Sequence, residues 1–231
     1  VSSGDPKANS MNFFTPKRKK LSDVTGKLAL PFEEVKRRAS ILVVDDDTAA
    51  FPVELLRTEG YNVQQWTEIK SLRNLSSGQF DIIVLDIYGI CPKGFSQNDG
   101  LGVLEHIKSV NPAQIVIAYS GKKFDFQREK FWRTADDYLG KPTDMLLAKE
   151  RIDDLLRERF TVGNYWNELS KYLRTSNVSD DQIEAMEDAL TRSILKQKPL
   201  TESNVGNLLT AGKDIISTAW IIIQVIGKLT A

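Results

Sequence analysis

Cysteine and histidine are almost missing from this chain: 231 residues hold one of each, Cys91 and His106. A single thiol cannot close an intramolecular disulfide or build a cysteine-rich zinc site, and a single imidazole excludes a multi-histidine metal centre within one chain. Such usage suits a reducing compartment, so a cytoplasmic location is expected. Long apolar runs are lacking as well. The most hydrophobic stretch, "IISTAWIIIQVIG" at 215–227, is too short and too interrupted to read as a bilayer span. The start is polar where a secretory signal would be apolar, and "VSSGDPKANS" before Met11 is set aside from fold reasoning. Excess charge of one sign is absent too, because 31 Lys/Arg balance 31 Asp/Glu.

That balance is uneven along the chain. Residues 1–40 hold nine basic against four acidic side chains, residues 41–160 hold fifteen against nineteen, and residues 161–231 hold seven against eight. The acidic middle and near-neutral tail offer nucleic acid no general attraction. Residues 1–39 read as a flexible basic arm with one helical turn around "PFEEVKRRA". Its Phe13, Phe14 and the basic run at 17–20 leave contact with a partner or a membrane surface open.

From Ile41 the pattern turns regular. Apolar runs bounded by polar turns stand at "ILVVD" (41–45), "YNVQQW" (61–66), "DIIVLD" (81–86), "QIVIAYS" (114–120) and "DDYLGK" (136–141). Three are nearly continuous, as strands buried on both faces require. Segments of helical length separate them: "TAAFPVELLRTEG", "EIKSLRNLSSG", "GLGVLEHIKSVN" and "DFQREKFWRTA". A fifth helix at 143–160 places Met145, Leu146, Ile152, Leu155 and Leu156 on one side. Gly60 and Gly78 read as stop signals, and Pro52 as tolerable within a first helical turn. Alternating strands and helices predict an α/β fold, a five-stranded parallel sheet wrapped on both faces, over residues 40–160. Residues 161–231 read as a small all-helical region. It comprises "NYWNELSKYL", a helix capped by Ser179 and Gln182, and a last helix running through "ESNVGNLLTAGKDIISTAWIIIQVIGKL".

In a parallel α/β sheet the carboxyl ends of the strands line one edge, where sites form. Asp45 and Asp46, Asp86, Ser120 and Lys141 all fall there. Clustered carboxylates without nitrogen or sulfur ligands suit a hard divalent cation such as Mg2+. A carboxylate beside such an ion can act as a nucleophile toward phosphorus, and a lysine and a hydroxyl can hold phosphoryl oxygens. Asp47 reads as a helix N-cap or surface charge, and His106 as an ordinary half-buried or surface residue.

The series "VVDDD", "IIVLD", "DG" at 99–100, "IAYSG" and "DDYLGKP" resembles the receiver domain of two-component response regulators over about residues 40–158. The resemblance implies the flavodoxin-like receiver fold. It makes Asp86 the phosphoacceptor, Asp45 and Asp46 the acidic pair that holds Mg2+ with Asp86, and the backbone carbonyl of Tyr88 a further metal ligand. Lys141 would contact the phosphoryl oxygens across a cis Lys141–Pro142 bond, and Ser120 and Tyr138 would form the switch pair. It also implies a histidine kinase or phosphotransfer protein as donor and no enzyme activity beyond self-phosphorylation and dephosphorylation. An aspartate-nucleophile phosphatase would need a second Asp two residues after the first, where Tyr88 stands.

Two features depart from the family pattern. Twelve residues separate Asp86 from Asp99, about six more than usual, so the loop with Cys91, Pro92 and Gly94 could cover the site or bind a partner. Tyr88 and Lys122 occupy the positions that tune dephosphorylation and predict a slowly decaying phosphorylated state. The tail carries Glu184, Glu187 and Asp188 where a recognition helix would be basic, so a helical output without DNA binding is expected. A DNA-binding regulator with an atypical output region is the alternative. The apolar last helix should pack within the chain, pair two chains as a homodimer, or lie on a membrane.

Overall fold

The computed structural model of the chain describes residues 19–26, 30–96, 98–121 and 133–230. Five strands, β1 (Ser40–Val44), β2 (Asn62–Trp66), β3 (Ile82–Asp86), β4 (Ile115–Ser120) and β5 (Asp137–Gly140), form one sheet in the order β2-β1-β3-β4-β5. Every neighbouring pair is parallel. The buried strands are the nearly continuous aliphatic runs: β1, β3 and β4 are shielded on both faces. Alternate side chains feed two cores. Leu42, Val44, Ile83, Leu85, Val116 and Ala118 meet α4 (Leu72–Ser76) and α5 (Asp99–Val110) on one face. Ile41, Val43, Ile82, Val84, Ile115 and Ile117 face α3 (Val53–Thr58) and α6 (Met145–Glu158) on the other.

Six further helices and short helical segments are described: α1 (Leu21–Thr25), α2 (Phe32–Arg38), α7 (Val162–Thr175), α8 (Asp180–Lys196), and the pair α9 (Glu202–Leu208) and α10 (Lys213–Thr230). The second core does not stop at the sheet. It runs on through Leu155, Phe160, Leu169 and Leu173 to Met186, Leu190, Ile222 and Ile226 as one cluster. The apolar last helix therefore packs largely inside its own chain, against α7. It lies at the amino-terminal edge of the sheet. Thr218 donates to the Val110 carbonyl (2.9 Å) and Lys228 to the Gly78 carbonyl (2.6 Å). Gly78 has φ +72°, and a Cβ there would sit 2.9 Å from the Val225 side chain, so the loop before β3 requires glycine twice over.

Several expectations need correction. The arm is not flexible throughout: Leu21 is buried between α7 and α8, and its amide donates to Glu187 Oε1 at 3.2 Å. A helix of five residues is marginal alone, and its docked apolar pair Leu21 and Val24 sustains it. Phe13, Phe14, Lys17 and Arg18 lie outside the described residues, as does most of "DFQREKFWRTA". Leu146 is 78% exposed, not on the buried stripe. It stands six positions before Ile152, which at 3.6 residues per turn turns it well off the buried stripe. The expected single last helix is two, broken at Leu209–Gly212, where Leu209 turns extended and buries its side chain. Of the two readings of Asp47, the exposed surface charge holds and the helix cap does not. Asp47 accepts the Ala49 amide at 3.0 Å in a turn well before α3.

Candidate functional site

The strand order reverses direction beside β1 and β3, and sites in such sheets open at that point, beyond the carboxyl ends. Asp45 and Asp46 leave β1 there, and Asp86 ends β3. Register brings the rest. Asp86 is level with Tyr119 on β4, Ser120 is level with Gly140, and Lys141 follows directly. The Lys141 ammonium bridges Asp45 Oδ1 (2.6 Å) and Asp86 Oδ2 (2.5 Å). The Tyr88 amide donates to Asp86 Oδ1 at 3.3 Å, and the Asp47 amide to Asp45 Oδ1 at 2.9 Å. Lys141 precedes Pro142 through the expected cis bond.

Burial drives the electrostatics. Asp86 is pushed above the usual carboxylate range, first by burial and slightly by Asp45, while Lys141 and the Tyr88 amide pull the other way. Burial draws Lys141 down, but its hydrogen bonds to Asp45 and Asp86 outweigh that, so its net direction is up. One ammonium thus serves two carboxylates in a place where charge is costly.

The site has an unmet demand. Asp45 Oδ2 is buried and lacks a hydrogen-bond partner. Asp45, Asp46 and Asp86 each present an oxygen within 4.8 Å of the others. Three carboxylates, one carrying a stranded oxygen, make a donor set fitted to a divalent metal.

Other expected residues distribute as follows. Ser120 is buried at the edge and Tyr138, one strand over, is 61% exposed. Tyr88 is half-exposed beside Asp86; Lys122 lies outside the described residues. The long loop is well anchored in its first half. Ile87 and Ile90 are buried, and the Ile90 carbonyl accepts the Ile69 amide at 2.8 Å. Its second half exposes Phe95. Cys91 is half-buried, with its thiol pushed up to about 12 by burial and by Asp99. His106 is half-buried on α5.

Tyr119 is a site residue that sequence reasoning passed over. The Lys141 ammonium stands 5.1 Å from the centre of its ring, and its hydroxyl donates to the Ala50 carbonyl. The aromatic face lends the ammonium cation–π support beside its two acids. Its signal was the aromatic next to Ser120 in "IAYS".

No family model matches the chain. It is 30% identical over 133 residues to the transcriptional regulatory protein ZraR of Salmonella typhimurium, and equally to that of Salmonella typhi. The match covers 56% of this chain, and the chain spans only 29% of the length of these relatives. Among solved structures, a response regulator receiver domain protein from Methanospirillum hungatei matches at 25% identity and a TM-score of 0.44, over 52% of this chain and 95% of its own. NtrX from Brucella abortus matches at 27% identity and a TM-score of 0.42, over 52% of this chain and 28% of its own. The all-parallel order β2-β1-β3-β4-β5 with helices on both faces is a flavodoxin-like fold, followed here by a helical region.

Proposed function

We propose that this chain is a response regulator whose receiver takes a phosphoryl group on Asp86. The observation that carries the reading is the bridge of Lys141 between Asp45 and Asp86 beside the partnerless Asp45 Oδ2. Asp45, Asp46 and Asp86, with the Tyr88 carbonyl, would hold Mg2+. When bound, that ion supplies positive charge to neutralise phosphoryl oxygens. The chain's own residues do the rest. Asp86, held in place by the Tyr88 amide, directs a carboxylate oxygen at phosphorus. The phosphorus–nitrogen bond of a phosphohistidine donor breaks, and the departing imidazole keeps the electron pair and takes a proton from water. Lys141 turns from the Asp86 oxygen it now contacts to the incoming phosphoryl oxygens, and the Ser120 hydroxyl follows.

The donor is a histidine kinase or a phosphotransfer protein, and the chemistry ends with self-dephosphorylation. Tyr88, exposed beside Asp86, screens the acyl phosphate from water, giving a decay slower than seconds. Output passes through the helical region, not through DNA. The observation that supports this is that α10 turns its apolar face to the chain's own core, and no strongly basic helix is displayed among the described residues of that region. The named relatives are transcriptional regulators, so the DNA-binding reading stands as the rival; salt-sensitive duplex binding by the full chain would favour it. A homodimer through the helical region and membrane contact through the N-terminal arm remain secondary readings; among the described residues no helix is long and apolar enough to cross a membrane.

The test is incubation with acetyl phosphate and Mg2+, read by intact mass. Wild type gains one phosphoryl unit and Asp86→Asn gains none. Incorporation into both, or into neither, sinks the proposal.

A further inference from the structure

The extended loop after β3 is held from outside as well as by its own buried Ile87 and Ile90. Asp99, the first residue of α5, reaches back across it. Its Oδ2 accepts the Gly89 amide at 2.7 Å and its Oδ1 the Cys91 amide at 3.1 Å. The next residue closes the clasp from the other side, since the Gly100 amide donates to the Ile87 carbonyl at 2.9 Å. A Cβ at Gly100 would fall 2.2 Å from the Asp86 carbonyl oxygen, so the backbone of α5 is set hard against the phosphoacceptor's own peptide. Asp99 has φ +46°, a left-handed conformation that aspartate tolerates better than most residues, and this aims the side chain at the loop.

The clasp matters because of what lies on the other side of the Gly89 peptide. Gly89 has φ +79°, and a Cβ there would stand 2.5 Å from Asp46 Oδ2. The loop backbone therefore forms a wall against the Asp46 carboxylate, the most exposed of the three acids. A trans peptide is planar, with its N–H and C=O pointing in opposite directions. The bond that turns the Gly89 N–H toward Asp99 thereby turns the Tyr88 carbonyl away from Asp99. One carboxylate outside the acidic cluster thus fixes both a backbone oxygen and the range open to Asp46.

We infer that Asp99 is a positioning residue for the cation site: it orients the Tyr88 carbonyl and confines Asp46 by clasping the Gly89 and Cys91 amides. The inference deepens the receiver reading and rests on it. Groups that orient ligands from behind typically change metal affinity by about 10–100-fold when removed. Asp99→Ala loses both acceptors, whereas Asp99→Asn keeps one carbonyl and the shape.

The experiment uses the full chain and three measurements: Mg2+ titration by calorimetry, amide exchange at Gly89 and Cys91 without metal, and phosphoryl incorporation from acetyl phosphate across Mg2+ concentrations. Asp99→Ala is expected to bind Mg2+ about 10-fold or more weakly, with Asp99→Asn between it and wild type. The two amides lose protection in Asp99→Ala, and incorporation recovers at high Mg2+. A folded Asp99→Ala with wild-type Mg2+ affinity overturns the inference, even if its thermal stability falls, because a merely structural clasp would lower stability alone. If Asp99→Ala does not fold, Asp99→Asn decides, and unchanged affinity there overturns it equally. Wild type that binds no Mg2+ and takes no phosphoryl group removes the receiver reading, and the inference with it. Wild type that does both leaves the role of Asp99 to be decided by its variants alone.

Discussion

Strand β3 carries a buried aspartate at each end, and the two invite comparison. Asp81 precedes it and Asp86 closes it, about 17 Å apart along a five-residue strand. Both are buried, both are pushed above the usual carboxylate range by burial, and both meet a lysine. Their company differs. Asp81 accepts the Ser40 amide at 2.8 Å and has Lys228 of α10 at 3.7 Å, and it joins no acidic ligand cluster among the described residues. Asp86 shares its lysine with Asp45 and faces Asp46. Burial and a shifted proton affinity therefore do not distinguish a reactive acid from a structural tie. What distinguishes them is a second and third acid in reach, concentrated where nothing structural requires it.

The largest effect should separate the two outright. Asp86→Asn abolishes phosphoryl incorporation by mass, and Asp81→Asn leaves it intact. If Asp81→Asn also abolished it, the comparison would collapse. Next, Asp45→Asn should weaken Mg2+ binding by about 10-fold or more in calorimetry, because Asp45 contributes the stranded oxygen; Lys228→Met should not change it. At the structural end, Gly78→Val places a branched side chain against Val225 at positive φ and should cost about 1–3 kcal/mol in denaturant unfolding. Asp81→Ala strands the Ser40 amide and should cost about as much, ~1–3 kcal/mol, while Asp81→Asn keeps an acceptor and costs less.

The smallest effect is in pH. The folded state holds the protons of Asp81 and Asp86 more tightly than the unfolded chain, whose carboxyls titrate near 3.8. The stability this contributes is present below that value and is lost as pH rises through the raised folded values. Asp86→Asn, measured without metal, should therefore be at least as stable as wild type at neutral pH, with its advantage shrinking on acidification. A variant that is less stable at neutral pH and gains on acidification would reverse the sign assigned to burial at this site.

The stretch "DIIVLD" shows how far the sequence could be read. Its aliphatic interior announces a doubly buried strand, and the direction of a parallel sheet picks Asp86 over Asp81 for the site edge. The same reasoning placed Asp45, Asp46, Ser120 and Lys141, because polar residues at strand ends carry their address with them. Residues whose importance lies in contacts distant in sequence stayed dark. Nothing local tells that Asp81 meets a lysine of the last helix, that Leu21 docks on α8, or that the Asp99 side chain reaches back to residue 89. Leu146 misled because an apolar residue next to a true stripe residue looks periodic until the turn angle is counted. The break at 209–212 escaped because Leu209 and Ala211 are apolar and no proline marks it.

One cluster of side chains extends from Ile41 in the first strand to Ile226 in the last helix. A fragment cut at residue 160, where composition suggests a seam, would strip the neighbours from Leu155 and Phe160 and bare oily surface to water. Such a fragment should be sticky and less resistant to heat than the parent. The sheet and the helical region are stitched by the same oily seam, so a strain felt at one end has a packed route to the other.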